Sequence, residues 1–80
     1  MLTRYDFDGF TEDEKARAVW DGTFLADREE NGLTVQLYSL GSFYVELFYD
    51  PIANKILRFQ AFTSKSFLTV YLADIKFKLP

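Results

Sequence analysis

An 80-residue chain of net charge −3, with 49% apolar and 19% aromatic residues, is one small domain whose apolar supply is too rich for disorder. It contains neither cysteine nor histidine, which excludes disulfides, thiolate metal sites, a cysteine nucleophile and imidazole acid–base chemistry. Residues 1–30 hold nine acids against four bases, and residues 31–80 hold three acids against five bases, a division that either steers a partner or folds back within one monomer.

The first ten residues, MLTRYDFDGF, alternate loosely and are expected to form an irregular N-terminal arm that docks Leu2, Tyr5, Phe7 and Phe10. Thr11 and Glu14 make a T-x-x-E capping box, and Glu12, Asp13 and Glu14 suit the positive end of a helix dipole. The spacing of Ala16, Val19 and Trp20 predicts a helix over residues 12–20, with Gly22 as its stop. Residues 24–30 read as a strand with Phe24 and Ala26 inward. Asn31-Gly32 then predicts a type I′ hairpin that sets Glu30 opposite Leu33, Arg28 opposite Val35, Ala26 opposite Leu37 and Phe24 opposite Ser39.

The stretch from Leu33 to Phe62 carries four of the nine Phe and three of the five Tyr, and it reads as three strands broken by two turns. A two-residue loop at Gly41-Ser42 would pair Leu37 with Glu46 and Val35 with Phe48. The row Phe43, Val45, Leu47 and Tyr49 would then lie on the other face. A sheet with one apolar face therefore needs a three-residue loop or a bulge near Gly41. The competing arrangement is a sheet covered on both faces, by its own helices on one side and another subunit on the other. Asp50-Pro51 with Asn54 predicts the third turn. In residues 56–62, Leu57, Phe59 and Ala61 are expected to face the core. Ser64 or Ser66 can cap a second helix over residues 65–74, although FLTVYL would also suit a strand. The closing IKFKL alternates cleanly and could lie along a sheet edge.

The expected fold is α+β in a single domain over residues 1–80: helix, four-stranded antiparallel meander, helix, with both helices on one sheet face. No basic n-region followed by an apolar h-region opens the chain, and no apolar run reaches a membrane span. A soluble cytoplasmic protein is expected.

Few residues suggest chemistry. Asp6-Phe7-Asp8-Gly9 resembles the first motif of the haloacid dehalogenase phosphatases, in which the first Asp is the nucleophile and the second the acid/base. That family places Thr directly after the Gly, whereas Phe10 intervenes here, and 80 residues leave no room for its α/β domain. Asp6, Asp8, Glu12, Asp13 and Glu14 could hold a divalent cation through oxygens, but the EF-hand spacing is not met, and an acidic arm with a capped helix accounts for them. SFYVELF loosely resembles the RNP1 strand of RNA-binding sheets but lacks its leading basic residue. Glu46, alone among apolar neighbours, is the most informative acid. It either faces solvent or, facing the core, pairs with Arg28 or Arg58.

No catalytic residue, cofactor or metal is expected, and neither a membrane nor nucleic acid is the expected partner. The reading is a non-enzymatic protein–protein interaction module, a homodimer or a small accessory or inhibitor-type partner. Its interface candidates are Tyr38, Tyr44, Glu46, Phe48 and Arg58 on an aromatic-rich sheet face. An inhibitor of a basic partner would use Asp21, Asp27, Glu29 and Glu30. The alternative is a binder of a small apolar ligand in an aromatic pocket between sheet and helices.

Overall fold

The computed structural model describes residues 2–69 and residue 71. Two short helices, α1 (Arg4–Asp8) and α2 (Glu12–Trp20), precede four strands: β1 (Thr23–Glu30), β2 (Leu33–Ser39), β3 (Tyr44–Asp50) and β4 (Lys55–Phe62). The strands form one antiparallel sheet in the order β1-β2-β3-β4, and a 3₁₀ turn (Lys65–Leu68) follows. The expected α+β class with a four-stranded antiparallel sheet is present. Among the described residues, no helix is long and apolar enough to cross a membrane.

The arm is helical rather than irregular. Thr3 caps α1, accepting from the Asp6 N–H while the Asp6 carboxylate accepts from the Thr3 N–H. Asp thus stands where Glu or Gln completes the usual capping box. This turn drives Phe7 into the core, where its ring meets those of Phe10, Phe43 and Phe59. The helix at Glu12–Trp20 begins at the expected Thr11–Glu14 box. Its Val19 is buried, but Trp20 is 58% exposed. Gly22 is required by a close approach as much as by the helix end: a Cβ there would lie 2.8 Å from the Ser39 carbonyl oxygen.

The first hairpin has the expected turn, with positive φ at Asn31 and Gly32. The pairs Glu30–Leu33, Arg28–Val35 and Ala26–Leu37 also form as expected. A bulge between Phe24 and Ala26 then moves Phe24 opposite Tyr38 instead of Ser39. Phe24 leaves the face of Ala26 and is half exposed.

The second hairpin corrects the expectation of a longer loop. Leu40 N–H donates to the Phe43 carbonyl at 2.9 Å, closing a two-residue loop whose Gly41 has φ +95°. A positive φ at the first loop residue belongs to the II′ pattern that matches strand twist. Leu37 does pair with Glu46 and Val35 with Phe48. The premise of one apolar face was wrong, because the single chain packs apolar side chains against both faces.

On the first face, α1 and α2 bring Phe7 and Val19 onto Phe43, Val45, Leu47 and Ala61. On the second, Ala26, Leu37 and Phe62 pack with Tyr71 and Leu68, while Val35 and Phe48 are buried. The described part of the C-terminal segment therefore lies opposite α1 and α2, not on their face as expected. Of the expected second helix, Ser64 caps the 3₁₀ turn; its continuation beyond residue 71 and the IKFKL strand lie outside the described residues. The third turn keeps its expected chemistry. The Asp50 carboxylate accepts from the Ile52 and Ala53 N–H groups, and Asn54 has φ +56°. A bulge in β4 places Arg58 opposite Phe48 and Ile56 opposite Tyr49. It turns Leu57 out to 45% exposure rather than toward the core.

Candidate functional site

Glu46 sits at the centre of β3 on the second face, 8% exposed. Such a carboxylate requires donors. Arg28, two strands away and diagonal to Glu46, next but one to the Ala26 that faces Leu37, supplies Nε at 3.3 Å and Nη2 at 3.0 Å, and Tyr71 donates its phenol at 2.5 Å. All three donors converge on Oε2. The remaining Arg28 contact, Nη1 to Glu30 at 2.9 Å, completes the guanidinium's pairing, and the same group lies over the Tyr71 ring at 5.6 Å.

Burial and the adjacent Glu46 charge push the Tyr71 phenol well above the ordinary tyrosine range. Burial alone would lower the Arg28 value, but its bonds to Glu30, Tyr71 and Glu46 outweigh that and raise it. Tyr71 is thus a firm proton donor and a poor general base. The cluster is arranged to hold charge in place, and it ties the C-terminal segment to the sheet.

The five candidate residues do not share one surface. Tyr38 lies on the first face, between Trp20 at 6.2 Å and Phe24 at 5.6 Å between ring centroids, and its hydroxyl donates to the Gln36 side chain at 3.1 Å. Tyr44 stacks on Phe62 on the second face at 5.5 Å. Phe48 is buried there, and exposed Arg58 covers its ring at 3.8 Å. Glu46 takes Arg28 as its partner, as expected for a core-facing acid, and not Arg58. A cleft of about 330 Å³ at the outer edge of β4 reaches Glu46, but neither Tyr44 nor Arg58 lines it. The Asp6-Phe7-Asp8 carboxylates are committed locally, Asp6 to the Thr3 cap and Asp8 to Arg4 at 3.6 Å.

The more open surface is on the first face. The nine-residue α2 leaves part of that face uncovered. A groove of about 300 Å³ there is lined by Trp20, Gln36, Leu47, Tyr49 and Ile56. A second groove of about 360 Å³ runs between α2 and β4, lined by Glu12, Asp13, Ala16, Ile56, Leu57 and Phe59. Around them Phe24 is 50% exposed and Ile52 94% exposed. The register places Asp27 and Glu29, both exposed, on this same face, opposite Gln36 and Thr34.

The sequence pattern put Trp20 on the apolar face of the first helix, and Tyr71 falls within the expected second helix with no role singled out. For Tyr71 a further signal existed: a mid-strand acid with a core register needs more donors than one arginine supplies. The bulge at Leu25, which groups Phe24 with Trp20 and Tyr38, has no comparable signal in the chain. In comparisons with known proteins, the chain matches no family model, no curated protein and no solved structure.

Proposed function

We propose that this protein is a non-enzymatic interaction module that receives a basic protein partner on the uncovered part of its first sheet face. The observation that carries this reading is the juxtaposition of exposed apolar side chains, Trp20, Phe24 and Ile56, with exposed Asp27 and Glu29 on one face. Exposed aromatics beside shallow grooves are what interface cores are built from, and acids at the rim select the sign of the partner. A second copy of the chain fits less well, since two-fold pairing sets these acids against their own kind. The function is thus an accessory or inhibitor-type role rather than a homodimer, and the cysteine-free composition suits the reducing cytoplasm.

The small-ligand reading draws on the groove between α2 and β4, whose volume of about 360 Å³ falls at the small end for ligand sites. Its lining includes Glu12 and Asp13 and only one aromatic, Phe59, which suits an apolar ligand poorly.

The test is a photo-crosslinker in place of Phe24, used in cells. The expected adduct joins a basic chain and is lost when Asp27→Lys and Glu29→Lys are introduced together. An adduct of two copies of this protein, or one indifferent to the charge reversal, would overturn the proposal.

A further inference from the structure

The cleft at the β4 edge is distinct from the grooves on the first face, and its floor is a carboxylate used on one side only. Arg28 and Tyr71 both bond to Glu46 Oε2, and among the described residues Oε1 accepts nothing. Among those residues, no fully buried side-chain oxygen or nitrogen lacks a partner. Oε1 is therefore not fully buried, and the opening beside it is the cleft that Glu46 lines with Arg4, Gln60, Ala61, Phe62, Thr63 and Ser64.

The local charge favours a cation. Arg28 is shared between Glu46 and Glu30, which leaves one negative charge uncompensated among the described residues. Arg4, the cation in the lining, is already paired with Asp8. The apolar walls at Ala61 and Phe62 suit a methylene stem, and Thr63 and Ser64 complete the lining, the Ser64 hydroxyl being held by Ser66. We propose that this cleft binds a primary ammonium or guanidinium group on a short apolar stem, with its N–H donors seated on Glu46 Oε1.

The cation could belong to a free amine or to a partner's lysine or arginine, so the experiment has two arms. ¹⁵N-labelled protein is titrated with n-butylammonium chloride and agmatine, with n-butanol as the neutral control, and separately with a tripeptide amide carrying one lysine. The expected result is that charged probes shift the amides of residues 60–64 and 46, while n-butanol does not. Binding of the free amines assigns the site to a small molecule, and binding of the tripeptide alone assigns it to a protein partner.

Glu46→Gln should weaken binding by about tenfold or more, the cost of a lost charge-assisted hydrogen bond. Because that variant also disturbs Arg28, Gln60→Lys is the second test. Gln60 pairs with Glu46 across the ladder and is exposed, so its replacement sets a built-in ammonium at the site and should block the probes. Shifts equal for n-butanol and n-butylammonium, no shifts with any charged probe, or full binding by folded Gln60→Lys protein would overturn the proposal.

Discussion

Glu46 shows how one residue organises a face. Its charge is tolerated because Arg28 and Tyr71 supply three donors; alone it would be expelled from the core. Glu46→Ala leaves the Arg28 guanidinium, whose side chain is 13% exposed, with only its bond to Glu30 among the described residues, and should cost about 3 kcal/mol in urea unfolding. Tyr71→Phe removes one charge-assisted bond, and a loss of about 1.5–3 kcal/mol is expected.

The pH dependence has a definite sign. The folded Tyr71 phenol titrates above its unfolded value near 10, so its contribution is fully present below about pH 10 and is lost as pH rises beyond that. Absorbance titration should show a late-ionising tyrosine that disappears in Tyr71→Phe, and the alkaline unfolding limb of that variant should be shallower. The pairing of Glu46 with Arg28 was legible in the sequence as one branch of an either-or. Tyr71 was not, because a tyrosine at helical spacing counts as apolar until a buried acid is known to face it.

At the scale of elements, local chemistry was readable wherever it was complete in a few residues. The Thr11–Glu14 box and the Asp50-Pro51 turn are made by side chains that bond neighbouring backbone, and the Asn31-Gly32 turn by two residues that accept positive φ. The Thr3–Asp6 box is of the same kind and was missed because its acid is Asp. Thr3→Ala should cost about 1 kcal/mol by chemical denaturation and should also loosen Phe7, raising amide exchange in residues 4–8 more than Thr11→Ala does.

The Gly41 loop was misread for a different reason. Its register depends on whether one or both faces of the sheet are covered, which no local pattern encodes. With φ +95° at Gly41, Gly41→Ala should destabilise by about 1–3 kcal/mol in chemical denaturation. The bulges at Leu25 and Leu57 likewise depend on how neighbouring strands twist.

At the scale of the molecule, the buried apolar side chains among the described residues form two thin layers, one on each side of a single sheet. The exposed apolar side chains do not spread evenly. Trp20, Phe24, Ile56 and Leu57 gather where α2 ends and β4 bulges, beside acids of the N-terminal half. The acidic half of the chain is therefore not wholly neutralised by the basic half, since Asp27 and Glu29 stand exposed on a face with apolar neighbours. On the function proposed above, this face receives a different, basic chain. Light scattering at low ionic strength tests that most directly: the 9.3 kDa chain should remain monomeric with Trp20 open to a soluble quencher. A stable dimer of twice that mass, with Trp20 shielded, would contradict it.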